Sequence, residues 1–153
     1  MHCHYSTQDG HPRPRCVPYG PFGGTTGDFF VEIPENCYAT IKSVTVYTFD
    51  VILGIQLTYR LSDGSEYVGA LHGVAQGHKC AFNVPITVGV RVINVSGLYD
   101  LSMVGQLTFV SSYGFSWTCG SGGDAWFGFP RCEVRGIFGY AWNTLSSIGF
   151  LCN

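Results

Sequence analysis

One pattern occurs three times along the sequence, and this internal repeat constrains the fold more than any other feature. Each copy begins with an apolar residue, any one residue, a second apolar residue and then a proline. A few residues later, each copy has a cation that directly follows a β-branched residue. The prolines are Pro34, Pro85 and Pro130, and the cations are Lys42, Arg91 and Arg135. These coincidences predict three similar structural units.

The first two units continue in step through a polar turn. Residues 56–59 correspond to residues 106–109, and each segment precedes a turn that is predicted at Asp63-Gly64 or at Tyr113-Gly114. The third unit ends before it can form such a hairpin. We therefore expect residues 17–30, near the start of the chain, to complete the third unit.

The local pattern within each unit is that of β-strands. Apolar and polar residues alternate with a period of two, β-branched residues dominate, and glycine or proline stands at the boundaries. A short helical turn is expected only at residues 143–147, where Asn143 is placed to cap it. The sequence predicts an all-β prism of three roughly four-stranded antiparallel sheets, related by a pseudo-threefold axis around a shared core.

Composition and charge limit the classes of function. The chain has 153 residues with 46% apolar content, which favours one folded domain; we assign residues 1–16 to an N-terminal tail and residues 17–153 to the domain. The 8 basic and 10 acidic residues give a net charge of -2, so we expect no nucleic-acid partner. No apolar run is long enough to span a membrane, and no membrane insertion is expected.

The seven cysteines predict an oxidised, secreted protein, because none of them forms the C-x-x-C pair of a zinc site or a thiol-exchange motif. An odd number leaves one cysteine over. We expect it to be Cys152, close to the C-terminus, either in an intermolecular disulfide that links a homodimer or as a free thiol. Residues 1–16 contain no apolar stretch of the signal-peptide type, so a secretory signal would have been removed already.

Asn94-Val95-Ser96 is an N-glycosylation triplet, and Asn94 is a candidate glycosylation site in a secreted chain. The triplet arises often by chance. Use of the site requires that Asn94 lie on the surface.

Several short segments together resemble the jacalin-related lectins. They are Gly20-Pro21-Phe22-Gly23-Gly24, residues 55–61 with Asp63-Gly64, Val95-Ser96-Gly97-Leu98-Tyr99, and Phe138-Gly139 with Ile148-Gly149. The resemblance extends from about Val17 to Phe150. It implies a β-prism I fold and a shallow, non-catalytic sugar site built from three loops at one end of the prism.

The resemblance implies that this sequence has counterparts of the three sugar-binding loops of the family. The first is the glycine pair, and the second follows the middle strand. The third corresponds to the G-x-x-x-D loop of the family, but here Trp142 replaces the glycine and Ser146 the aspartate; alternatively, Gly139 keeps the glycine and Asn143 replaces the aspartate. The candidate carbohydrate-binding residues are Gly23, Gly24, Gly97, Leu98, Tyr99, Gly139, Tyr140, Ala141, Trp142, Asn143, Thr144, Leu145 and Ser146.

The loss of the aspartate predicts a weaker or altered sugar preference. A carboxylate accepts charge-assisted hydrogen bonds from sugar hydroxyls, whereas serine or asparagine offers neutral acceptors. Tyr99, Tyr140 and Trp142 offer aromatic faces for the C–H side of a sugar ring. The ordinary alternatives are a packed Trp142, a plain turn at the glycine pair and an exposed loop tip at Tyr99.

Other chemistry finds little support in the sequence. No serine has the G-x-S-x-G context of a hydrolase, no phosphate-binding loop is present, and we expect no enzymatic activity and no cofactor. His2-Cys3-His4 has a spacing able to bind Cu(II), but a tail with a Cys3–Cys16 disulfide is the simpler interpretation. His72, His78 and Cys80 lack an apparent fourth ligand for zinc, so no metal site is predicted.

The sequence therefore predicts a secreted lectin that binds glycans with glucose/mannose- or galactose-type hexoses, as a homodimer through Cys152. A dimer would add avidity to a modest single-site affinity. The alternative is a secreted structural or matrix protein, mucosal or associated with a mineral, that kept the prism and lost or altered sugar binding.

Overall fold

The computed structural model describes residues 16–153, which form thirteen strands and two short 3₁₀ segments. The strands are β1 (Val17–Gly23), β2 (Asp28–Glu32), β3 (Thr40–Thr48), β4 (Ile52–Arg60), β5 (Glu66–Val68), β6 (His72–Gly73), β7 (His78–Asn83), β8 (Val92–Tyr99), β9 (Val104–Ser111), β10 (Ser116–Gly120), β11 (Ala125–Phe127), β12 (Val134–Ala141) and β13 (Leu145–Cys152). The 3₁₀ segments are Pro34–Cys37 and Ile86–Val88. None of the helices in this part of the chain is long and apolar enough to cross a membrane.

Three antiparallel sheets build the predicted prism. The first sheet has the order β5-β4-β3-β7, with β6 also paired to β4; the second has the order β10-β9-β8-β11; the third has the order β1-β13-β12-β2. Each sheet has a long inner hairpin flanked by shorter outer strands. The all-β prediction with three related sheets is confirmed.

The third sheet joins the two ends of the described chain. Strand β1 pairs with β13, and β2 pairs with β12, so residues 17–32 complete the sheet that the third repeat begins. This confirms the expectation that the early segment supplies the missing strands.

The core lies between the sheets and is filled by the inward residues of the six inner strands. The inward face of each inner strand is buried, and β13 is buried along its whole length. The largest fully buried side chains are 1% exposed or less. The large members of this core are Ile41, Val44, Ile52, Ile55, Leu57, Tyr59, Leu107, Phe109, Ile137, Leu145, Ile148 and Phe150.

The turn predictions had mixed outcomes. Gly64 and Gly114 both adopt a φ of +89° in equivalent turns, as expected for the hairpins of the first two units. The predicted helical turn at residues 143–147 is wrong, because the backbone enters β13 at Leu145. The 3₁₀ segments instead begin at or directly after the repeat prolines Pro34 and Pro85.

Three disulfides form within the described chain: Cys16–Cys37, Cys80–Cys119 and Cys132–Cys152. The predicted intermolecular or free Cys152 is therefore wrong, because Cys132 lies opposite it with a Cα–Cα distance of 5.5 Å. Cys16 bonds to Cys37 rather than to Cys3, which lies outside the described residues. The boundary between a tail and a domain at residue 17 stays a prediction.

Candidate functional site

One end of the prism gathers three connections, which we call the loop end: residues 24–27, 100–103 and 142–144. The amide of Gly24 donates a 2.8 Å hydrogen bond to the carbonyl of Ser146. A methyl group on Gly24 would lie 2.6 Å from the carbonyl oxygen of Leu101, and one on Gly27 would lie 2.6 Å from that of Ala141. The first connection thus touches the other two, and only glycine permits this approach.

The connection at residues 24–27 joins the two outer strands of the third sheet across its inner hairpin, and we call such a connection a strap. Gly23 and Gly27 stand at its ends with φ values of +126° and +97°. These conformations place the chain directly against the strand below and favour glycine strongly. The glycine pair is therefore a requirement of the strap and not an ordinary turn.

The other two sheets carry corresponding straps. Residues 74–77 follow Gly73 and end at Gly77, with φ values of +96° and +86°; residues 121–124 follow Gly120 and include Gly123, with φ values of +87° and +112°. These repeated straps were not anticipated from the sequence. Their signal is the spacing G-x-x-x-G at residues 23–27 and again at residues 73–77, shortened by one residue in the remaining unit.

The predicted binding loop of the third unit is shorter than expected. Gly139, Tyr140 and Ala141 belong to β12, and only residues 142–144 form the loop. The Trp142 side chain is 54% exposed, which rules out a packed core position. The Trp142 amide donates a 3.0 Å hydrogen bond to the Thr144 carbonyl and closes the turn.

Leu145 and Ser146 do not reach the surface of the loop end. Both side chains are fully buried in β13, so neither can contact a ligand in this conformation, contrary to the expectation from the sequence. The Ser146 Oγ atom lies buried without a hydrogen-bond partner. What Ser146 contributes is its carbonyl, which holds the strap.

The predicted second loop, residues 97–99, lies entirely before the observed loop in the sequence. Gly97, Leu98 and Tyr99 are the last residues of β8, and the loop itself is residues 100–103. The Tyr99 ring is half-buried and packs against Phe22 and Phe127 with centroid distances of 6.0 and 6.1 Å. Tyr99 is thus neither a free loop tip nor an open platform for a sugar.

Two residues of the second loop were not anticipated as site residues. Leu101 is 92% exposed at the tip. The Asp100 carboxylate accepts hydrogen bonds from the Ser102 amide at 2.8 Å and from the Ser102 hydroxyl and the Met103 amide at 3.0 Å. The bonds to Ser102 lower the pKa of Asp100, because they stabilise its charged form. Asp100 therefore places a negative charge beside the strap.

The remaining sequence candidates fall outside the loop end. The Asn94 Nδ2 atom donates a 2.7 Å hydrogen bond to the Phe129 carbonyl, so glycosylation at this nitrogen would have to disturb that bond; it stays an untested prediction. The described residues contain no group of three or more potential metal ligands. Cys80 is bonded to Cys119, and His72 faces Glu32. The His2-Cys3-His4 motif lies outside the described residues.

Comparisons with known proteins identify the family of the chain. The sequence model of the Jacalin-like lectin domain matches residues 19–151. The chain belongs to the jacalin-like lectin family. No curated protein matches the sequence at a significant level.

Solved structures share the fold of this jacalin-like chain at low sequence identity. Wild-type Malaysian banana lectin has 21% identity and a TM-score of 0.78, with 90% of this chain and 98% of that chain covered. The mannose-binding lectin from Champedak has 20% identity and a TM-score of 0.78, with 90% and 96% covered. Artocarpin complexed with methyl-α-mannose has 19% identity and a TM-score of 0.77, with 90% and 98% covered.

Proposed function

We propose that this jacalin-like protein is a secreted, non-catalytic lectin that binds hexose-containing glycans at the loop end. The observation that carries the proposal is the contact of the strap at residues 24–27 with both hairpin loops. This contact joins backbone groups of the three connections, and we call the exposed side chains around them, such as Trp142 and Leu101, the rim. Three intrachain disulfides are consistent with an oxidising extracellular compartment.

The rim of the loop end has the chemistry that sugars require. Trp142 offers a flat apolar face to the C–H side of a hexose ring. Asn143, Thr25 and Thr26 are exposed, and they make no hydrogen bond with any of the described residues, so their polar groups are available to sugar hydroxyls. The nearest carboxylates along the chain are Asp28, which directly follows the strap and is exposed, and Asp100 of the second loop.

The absence of an acidic residue at position 146 sets the expected strength of binding. A buried serine cannot replace a carboxylate that accepts hydrogen bonds from two hydroxyls. We therefore expect weak affinity for a single hexose and a larger contribution from the neighbouring sugars of a glycan. Mannose-type hexoses are the first to test, because the names of the structural neighbours include mannose-binding lectins.

The test combines a glycan array with calorimetry on methyl-α-mannoside, methyl-α-glucoside and methyl-α-galactoside. Trp142→Ala should weaken binding of the preferred sugar by about tenfold, because it removes the stacking surface. The matched control is Phe115→Ala, since the Phe115 side chain is also 54% exposed but lies on the turn between β9 and β10, at the opposite end. Equal affinities for wild type and Trp142→Ala would remove the tryptophan from the site.

A second candidate function is a structural or matrix protein that kept the prism without sugar binding. The burial of Ser146, where the family has its aspartate, favours this alternative. If the folded protein binds no glycan on the whole array, the result would support the structural or matrix function. Binding of a coherent set of terminal hexoses would reject it.

A further inference from the structure

A second cleft, of about 390 Å³, lies at the end of the prism opposite the loop end. We call it the arginine cleft. Its walls include Thr40, where β3 begins, Arg60, where β4 ends, and Thr87 of the second 3₁₀ segment. Because β3 runs from Thr40 to the loop end at Thr48, the arginine cleft and the candidate sugar site are separated by the length of a strand. The volume lies within the usual range of small-molecule sites.

Arg60 is the available cation of this cleft. Its side chain is exposed, and its guanidinium makes no ion pair or hydrogen bond with any of the described residues. By contrast, the neighbouring Glu66 forms an ion pair with Lys42, and Arg91 lies near Glu133. A guanidinium without an internal partner can offer its full planar set of donors to a ligand.

Arg91 is held in place on the other wall. Its Nη1 atom donates to the carbonyls of Ile86 and Val90 at 3.1 and 3.0 Å, and its Nε atom lies 3.8 Å from the Glu133 carboxylate. These contacts fix the orientation of the guanidinium before any ligand arrives. A preorganised group loses less conformational freedom on binding.

Arg60 and Arg91 are the charged residues among the described residues that line the cleft, and no acidic side chain lines it. The acids around it have other partners. Glu133 pairs with Arg135 at 3.0 Å and lies near Arg91, and Glu35 accepts hydrogen bonds from the Ser62 amide and hydroxyl. Glu66, opposite Arg60 in the sheet, pairs with Lys42, and Asp63 accepts hydrogen bonds from Ser65. Burial raises the pKa of Glu133, although Arg135 and Arg91 oppose that effect.

We propose that the arginine cleft binds an acidic sugar unit, one that carries a sulfate ester or a carboxylate, through Arg60 and Arg91. Guanidinium groups match the geometry of such oxyanions and form charge-assisted hydrogen bonds with them. The Thr87 hydroxyl can pair with a sugar hydroxyl, and the exposed Tyr38 ring provides an apolar face. Two cations, a hydroxyl and one aromatic ring suit a charged sugar better than a neutral one.

This proposal does not rest on sugar binding at the loop end, since the two sites share no residue. An experiment can also reject one of the two proposed sites without rejecting the other. A neutral hexose should depend on Trp142 and not on Arg60, whereas an acidic sugar should show the opposite dependence.

The test is calorimetry at fixed ionic strength with glucose 6-sulfate, glucuronate, neutral glucose and inorganic sulfate as probes. We expect the acidic sugars to bind, and Arg60→Ala to weaken them by about ten- to hundredfold, as for lost hydrogen bonds to a charged group. Arg131→Ala is the matched control, because Arg131 is exposed, carries the same charge and does not line the cleft. It should leave the affinity unchanged.

Three outcomes would overturn the proposal. Equal losses in Arg60→Ala and Arg131→Ala would show a general charge effect and no site. Loss of acidic-sugar binding in Trp142→Ala would show that the acidic sugar binds at the loop end. Inorganic sulfate that binds as tightly as glucose 6-sulfate, or no binding of either acidic sugar, would exclude a site for an acidic sugar.

Discussion

The Nε2 atom of His72 lies 2.9 Å from the Oε1 atom of Glu32, across the junction of the first and third sheets. The other carboxylate oxygen of Glu32 accepts a 2.6 Å hydrogen bond from the Tyr59 hydroxyl. Glu32 is only 6% exposed, and the Phe30 ring stacks on His72 with a centroid distance of 3.9 Å. One buried carboxylate therefore connects two sheets.

Removal of this carboxylate should destabilise the fold strongly. Glu32→Ala leaves the Tyr59 hydroxyl and the His72 ring without their partner, and we expect the free energy of unfolding to fall by about 3 kcal/mol. Urea denaturation measures the change. Glu66→Ala is the control, because its ion pair with Lys42 is exposed and should cost less than about 1 kcal/mol. Similar losses for both variants would contradict the structural role of Glu32.

Tyr59 should keep its proton in the folded protein at alkaline pH. Burial and the neighbouring Glu32 charge raise its pKa well above the ordinary tyrosine value of about 10. The unfolded chain then loses this proton first, so the stability of the fold should decrease as the pH rises above about 10.

Absorbance at 295 nm tests the protonation of Tyr59 directly. The native wild type and native Tyr59→Phe should give the same ionisation change on titration, while the unfolded chains should differ by one tyrosine. A smaller change in native Tyr59→Phe than in native wild type would mean that Tyr59 ionises without unfolding.

The strap at the loop end should not tolerate a side chain at Gly24. In Gly24→Ala, the methyl group would meet the Leu101 carbonyl, so the strap or the neighbouring loop must move, at a cost of about 1–3 kcal/mol. We expect binding of methyl-α-mannoside, or of whichever sugar the array selects, to weaken together with stability.

Gly114→Ala provides the comparison for Gly24→Ala. Gly114 has a φ of +89° with open space around it, so alanine there adds backbone strain of about 1 kcal/mol without disturbing a contact. Its sugar affinity should equal that of the wild type. A loss of affinity in Gly114→Ala as large as in Gly24→Ala would point to general destabilisation.

The disulfide between the first and second sheets should contribute more to stability than the one at Cys152. Cys80 and Cys119 are 39 residues apart in sequence, and Cys132 and Cys152 are 20 apart. Constraint of the unfolded chain by these loops predicts losses of about 4 and about 3 kcal/mol for the two double alanine variants. Thermal denaturation of both variants shows which one loses more stability. A larger loss in the Cys132 and Cys152 variant would show that the length of the closed loop does not determine the contribution of a disulfide.

The fold was predictable because the repeat is visible in short-range patterns. Alternation and turn glycines identified the hairpins at Asp63-Gly64 and Tyr113-Gly114, and the short third unit required strands from residues 17–30. The disulfides were not predictable in the same way. The partner of Cys152 depends on where β13 ends relative to Cys132, and that spacing exists only in the folded sheet.

The candidate site was predicted only in outline. The glycine pair and Trp142 do lie at the loop end, but Tyr99 and Ser146 proved to be strand residues. β8 extends to Tyr99 and β13 begins at Leu145, so both residues are held within a sheet, and Leu145 and Ser146 are both buried there. The positions at which the strands begin and end therefore limit what sequence alone can assign at a loop.

The third sheet has a consequence for biosynthesis, because β1 and β2 must wait for β12 and β13 before they can pair. A ribosome that has delivered the first 130 residues has released every strand of the other two sheets. The strap at residues 24–27 still has no hairpin to cross at that stage. Only a chain translated through β13 can form the loop end, so prematurely terminated products would lack this surface.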